Sequence, residues 1–153
     1  MLQEININWI DISNHKPDFI IIKKSNINGY GAFANQNIKK DTFLGHYMGK
    51  ISTEFITGPY VFHSKRSNNI ISIDASDKDK SNWTRYMNCS INDKTENVKS
   101  YFLTNKEEYI RNNDKINMEG YIVFYSNREI KKGEELMYHY GSAYANILNI
   151  YYK

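Results

Sequence analysis

The sequence predicts a mainly β fold: short strands in small sheets, with a few short helical turns. Three observations predict it. The chain has 153 residues, enough for one domain with a buried core. Its apolar residues, 41% of the total, fall in short β-branched and aromatic runs split by Gly, Asn, Asp and Lys clusters. Few long stretches carry the 3.6-residue period of an amphipathic helix.

In chain order, the candidate strands are 19–23, 32–34, 42–47, 60–63, 70–74, 98–103, 121–125 and 135–138. The first is an isoleucine run. The segment Asn28-Gly29-Tyr30-Gly31 after it reads as a hairpin turn, or as a place where backbone comes close to a ligand. A nucleotide-binding glycine fingerprint is excluded, because Ala34 stands at its third glycine position and no helix follows. Ser81-Asn82-Trp83-Thr84 offers an N-cap and a short helical turn into Met87. Residues 105–111 carry acids early and Arg111 late, which predicts a small helix inside a polar surface excursion over 105–117. Lys132-Gly133 predicts a turn, and Ser142 is placed to cap a last helix over 143–150.

Composition excludes several function classes. The one cysteine, Cys89, rules out an intramolecular disulfide and a cysteine-rich zinc cluster, and the four histidines lack ligand spacing, so no metal site is expected. A net charge of +3, with lysines and acids interspersed, gives no reason for direct nucleic-acid contact. The longest apolar run, 19–22, has strand length rather than membrane length. The first twelve residues alternate apolar and polar and carry acids, unlike a signal peptide. An intracellular, soluble protein without a membrane partner is the expectation. Thirteen tyrosines against two prolines is a marked bias.

Four stretches carry chemistry: Gly29-Tyr30-Gly31-Ala32-Phe33-Ala34; Tyr47-Met48-Gly49; Asn82-Trp83-Thr84-Arg85-Tyr86-Met87-Asn88-Cys89 with the later Glu96-Asn97; and Gly133-Glu134-Glu135-Leu136 through Tyr140-Gly141. The third is dense in amide, hydroxyl and guanidinium groups, which are costly to bury unless paired, so it points to a ligand or a buried network. In this order the four resemble the glycine motif, the tyrosine-x-glycine step, the RFxNH-type asparagine and the GEEL…DY ending of SET-domain protein lysine methyltransferases. The 82–89 stretch is similar to the NWMRYVNC stretch of PR-type SET domains. The similarity spans 20–144, leaving 1–19 as an N-terminal flank and 145–153 as a C-terminal tail.

The resemblance implies a SET-domain fold whose C-terminal motif is threaded as a pseudoknot. It implies S-adenosyl-L-methionine as cofactor and a lysine-containing protein as substrate, a histone tail being the leading candidate. That substrate would place the protein in the nucleus, and any other in the cytoplasm. Asn28, Gly29, Tyr30, Tyr60, Asn88 and Cys89 would contact the cofactor. Tyr140 would be the catalytic tyrosine, and Tyr47 would line the lysine channel and help to orient the amine. Phe124 or, with a one-residue slip, Tyr125 would supply another wall and bear on the number of methyl groups added. The segment 143–153, with Tyr144, Tyr151 and Tyr152, either closes the channel or packs as a simple amphipathic helix. Four departures stand out: Cys89 for histidine, His139 for aspartate, Asp41 for glycine and His46 for glutamate. The last three, with the small size, motivate an alternative, a catalytically inactive SET-like interaction module. Oligomeric state is left open.

Overall fold

A computed structural model describes residues 16–27, 29–89, 95–103, 109–111, 114–116 and 119–138. The expected final helix over 143–150, the tail, His139, Asn28 and Tyr140 lie outside the described residues, as does the Cys89 side chain.

The isoleucine run forms β1 (Ile20–Lys24), which turns at Gly29 into antiparallel β2 (Tyr30–Ala34). Ser25 N–H closes the turn on the Gly29 carbonyl at 2.7 Å, and Gly29 takes φ +49°, which a glycine adopts without a Cβ penalty. Next come β3 (Phe43–His46) and β4 (Lys50–Ser52). A hairpin of β5 (Val61–Arg66) and β6 (Asn69–Asp74) follows, closed by Ser67 and Asn68, both with positive φ, the conformation a two-residue hairpin loop favours. The predicted helical turn is a 3₁₀ turn, Trp83–Tyr86. Its cap is Asn82, whose side-chain oxygen accepts from the Thr84 N–H at 3.1 Å.

The remaining strands are β7 (Asn88–Cys89), β8 (Val98–Phe102), β9 (Tyr109–Arg111), β10 (Asp114–Ile116), β11 (Ile122–Ser126) and β12 (Met137–Tyr138). β9 corrects the small helix predicted over 105–111: in its described part the chain pairs antiparallel with β10. The favourable charge order of that segment is worth only a few tenths of a kcal/mol, about 0.3–1, and ladder pairing between segments containing Ile110 and Ile116 outweighs it.

Three described sheets surround the site. β1–β2 is one, β4–β6–β5 the second, and β3–β11–β8–β12–β7 the third. In the third, β12 runs parallel to both neighbours, with Met137 opposite Asn88 and Tyr138 opposite both Cys89 and Val98. β12 therefore lies between two strands that follow one another in the sequence, and the β7–β8 connection has to span it. This is the knotted C-terminal arrangement that the resemblance implied. Just before β12, the Leu136 N–H bonds the Ala32 carbonyl (2.7 Å) and Ala34 N–H the Glu134 carbonyl (2.9 Å), so the same segment also pairs with β2. Asn97, 2% exposed, clamps it from the other side. Its Oδ1 accepts from Met137 N–H (2.7 Å) and its Nδ2 donates to the Glu135 carbonyl (2.8 Å).

The core gathers Ile20, Leu44, Phe62, Ile73, Trp83, Phe124 and Leu136. Gly45 on β3 leaves room for Trp83, whose ring would lie 3.1 Å from a Cβ at that position.

Candidate active site

A cavity of about 400 Å³ opens beside β12, lined by Gly29, Tyr30, Pro59, Tyr60, Lys78, Arg85, Tyr86, Met87, Asn88 and Tyr138. It draws on four separate stretches of sequence: the β1–β2 turn, the segment before β5, a 3₁₀ turn at Lys78–Lys80 together with the Trp83–Tyr86 turn and β7, and β12. Four of the six expected cofactor residues (Gly29, Tyr30, Tyr60 and Asn88) meet at this wall. Tyr30 stands at the rim, 63% exposed. The Cys89 backbone pairs with Tyr138 on β12, next to this wall.

The wall is aromatic, with a positive strip. Arg85, 9% exposed, donates from Nε to the Ala75 carbonyl (2.8 Å) and from Nη2 to the Ser76 carbonyl (3.2 Å). Its guanidinium lies 4.3 Å from the Tyr60 ring centre and 5.1 Å from that of Tyr86. Such contacts are worth about 0.5–2 kcal/mol each and fix both rings against the cavity. With Lys78, Arg85 gives the described lining residues two cations and no carboxylate.

Asn88 is held from behind. Its Nδ2 donates to Glu135 Oε2 at 2.7 Å and to Ser25 Oγ at 3.2 Å, while Ser25 Oγ donates to the Glu135 carboxylate at 2.9 and 3.0 Å. Sequence reasoning gave no role to Ser25, Arg85, Glu135 or Tyr138. The density of paired polar groups around 82–90 was the available signal for Arg85.

Tyr47 is 6% exposed and packs on Phe62 (5.1 Å between ring centres) and Phe124 (6.4 Å). Its hydroxyl donates to the Tyr60 carbonyl at 2.5 Å. It also borders a second hollow of about 240 Å³ with His46, Gly49, Arg66 and Tyr121. Tyr47 thus joins the backbone of the large cavity's wall to a separate depression.

The two β11 candidates lie on opposite faces of that strand, as strand alternation dictates. Phe124, fully buried, backs Tyr138 at 5.5 Å. Tyr125 faces Phe43 and Tyr101 at 5.4 and 6.1 Å, and its buried hydroxyl has no hydrogen-bond partner among the described residues. Burial, with a smaller contribution from Tyr101, pushes that phenol well above the ordinary tyrosine range. Neither side chain lines the large cavity. Tyr138 does, packed on Phe62 at 5.7 Å.

Two of the four departures have a physical account. Asp41 takes φ +64°, a conformation that glycine adopts at no steric cost and that aspartate tolerates better than most residues. His46 meets the site's framework through its backbone: its carbonyl accepts from Asn82 Nδ2 (3.0 Å) and Thr84 Oγ1 (3.2 Å). Neither side chain lines the large cavity.

The comparisons with known proteins agree with this architecture. A family model described as SET domain matches residues 29–141. Among solved structures, the methyltransferase domain of human PR domain-containing protein 2 is similar at TM-score 0.63 and 23% identity, over 80% of this chain and 76% of that one. The crystal structure of KRYPTONITE in complex with mCHG DNA and SAH is similar at TM-score 0.59 and 18% identity, over 81% of this chain and 24% of that one. No curated protein matches the sequence.

Proposed function

The chain belongs to the SET-domain family, and from that premise we propose that it is a protein lysine N-methyltransferase of the PR type that uses S-adenosyl-L-methionine. A histone tail is the proposed substrate, with a nuclear location to match. One observation carries the reading: four sequence-distant stretches converge on one cavity that presents Gly29, Tyr30, Tyr60 and Asn88 together.

The lining suits the cofactor. Its volume, about 400 Å³, lies in the range of small-molecule sites. The rings of Tyr60, Tyr86 and Tyr138 offer flat apolar surface for a purine, and Arg85 and Lys78 offer positive charge for a carboxylate. When bound, the cofactor supplies an electrophilic methyl group on a sulfonium.

The chain's own part is positioning and desolvation. A lysine amine has a pKa of about 10.4 in water and must be neutral to react. Burial among aromatic walls disfavours its charged form. Tyr47 and Tyr140 are the proposed channel residues, with Tyr140 orienting the amine rather than acting as a strong base, since an ordinary phenol titrates at about 10. Holding the amine in line at roughly 3 Å from the methyl carbon supplies most of the acceleration. Tyr138, Phe124 and Tyr125 are the candidates for setting the number of methyl groups, through a hydroxyl that holds or gives up the space of a water.

The test has two steps. Calorimetry with S-adenosylhomocysteine (SAH) should show one-to-one binding. Labelled cofactor with mixed histones should then show transfer that Tyr140→Phe reduces at least 100-fold, the lower range for a group that acts in the transition state. Binding without transfer to any histone overturns the substrate assignment. Equal transfer by Tyr140→Phe overturns the catalytic role. No cofactor binding at all would favour the interaction module.

A further inference from the structure

Glu135 and Ser25 do not line the cavity, yet both bond a residue that does. A carboxylate offers acceptors only, so the Asn88 atom 2.7 Å from Glu135 Oε2 has to be the amide nitrogen. Flipping the amide would set two acceptors against each other. Ser25 Oγ commits its proton to Glu135 and accepts from Asn88 Nδ2 (3.2 Å) and from Ile27 N–H (3.0 Å). The carboxylate itself has room only because residue 31 is glycine: a Cβ there would lie 2.3 Å from Glu135 Oε2. The backbone on both sides of Glu135 is paired to β2, and its carbonyl is held by Asn97 at 2.8 Å.

We infer that Glu135 and Ser25 are positioning residues for the cofactor site, locking the Asn88 carboxamide with its nitrogen edge inward so that its oxygen edge serves the cavity. The role rests on the cofactor reading above. It gives the second glutamate of the Gly133-Glu134-Glu135-Leu136 stretch a task, and it links three motifs far apart in sequence through one carboxylate. The bond to Ser25 also ties the β1–β2 turn, with Gly29 and Tyr30, to the same amide.

Glu135→Gln is the informative change. It keeps the shape but offers an N–H edge, which allows the Asn88 amide to reverse. SAH affinity should fall about tenfold, a loss of about 1.4 kcal/mol, and Ser25→Ala should fall in the same direction. In an Asn88→Ala background, Glu135→Gln should cause no further loss, because the group it positions is gone. In the cofactor-free protein, the two Asn88 side-chain proton–nitrogen signals, assigned by their disappearance in Asn88→Asp, should move toward the solvent-exposed position in Glu135→Gln. A further, additive loss of affinity in the double variant, or unmoved amide signals, overturns the positioning role. Wild-type binding that Glu135→Gln leaves unchanged overturns it while the cofactor reading stands. Failure of the wild type to bind SAH overturns the cofactor reading, and the role with it.

Discussion

Gly49 closes the Tyr47-Met48-Gly49 step, and the structure gives a reason for a glycine there. A Cβ at residue 49 would lie 2.4 Å from the Asp74 carbonyl oxygen, 2.6 Å from its carbon and 2.9 Å from Ala75 nitrogen. Ordinary contact begins about 1 Å further out. The obstacle is backbone that cannot step aside, because Asp74 pairs with Lys50 on one side and Val61 on the other. Ala75 N–H also bonds the Tyr60 carbonyl (3.0 Å), the acceptor of the Tyr47 hydroxyl. Overpacking typically costs about 1–3 kcal/mol, and a backbone obstacle puts Gly49→Ala at the upper end. Reduced freedom of the unfolded chain returns about 0.4–1 kcal/mol. The net loss is about 2–3 kcal/mol, or a melting temperature lower by about 5–10 °C for a chain of this size. Gly58→Ala is the matched control. Its Cβ would meet only Val61 Cγ2, at 3.4 Å, so the unfolded-state effect should dominate and stability should rise slightly. Urea unfolding and thermal melts of both variants check the pair. Equal shifts, or a more stable Gly49→Ala, would refute the reasoning.

Arg85→Lys keeps the charge but loses the planar contact with two rings and the fork onto two carbonyls. It should lower the urea midpoint by the equivalent of about 1–3 kcal/mol. Tyr125→Phe removes a buried hydroxyl without a partner among the described residues and should leave stability equal or higher, whereas Tyr47→Phe strips the Tyr60 carbonyl of a donor and should cost about 1–2 kcal/mol; thermal melts distinguish them. Partial burial alone would raise the Glu134 carboxyl, but the Arg128 side chain, the Lys131 N–H and both nearby charges hold it below the usual range. A depressed carboxyl stabilises above its unfolded pKa, and that contribution is lost as pH falls through the folded value. Glu134→Gln should therefore be less stable than wild type at neutral pH, by under about 1 kcal/mol for so exposed a pair. The gap should close in acid, as read by denaturation at two pH values.

Much of the fold was legible because strands this short announce themselves by composition: all eight predicted strands overlap observed ones. β4 and β7 were missed for a physical reason. Lys50-Ile51-Ser52 and Asn88-Cys89 have little strand character of their own and are extended because β6 and β12 pair with them. The 105–111 segment failed the other way, its local charge order favouring a helix that ladder pairing overrode. At the site, Gly29 and Asn88 were readable because their motifs are local. Glu135 was not, since its bond to Asn88 depends on how β12 is inserted, and nothing in the spacing of 88 and 135 encodes that. The choice between Phe124 and Tyr125 turned on register. The β11–β3 ladder slips between these two residues, leaving Leu44 unmatched, so counting along the strand could not settle which way each ring points.

The position of β12 has a consequence for how the molecule is made. β7 and β8 are neighbours in sequence, yet they must not pair with each other, since β12 takes the place between them. Both strands are synthesised before residues 137–138 exist, so a slot has to stay open for β12 until it arrives. Premature pairing of β7 with β8 is a trap that has to reopen before the chain can complete. The cavity wall contributed by Tyr138 and the Glu135 carboxylate behind Asn88 arrive on that same final segment. Folding and the assembly of the binding site therefore finish in a single event, and a nascent chain cut before β12 holds neither a complete sheet nor a complete site.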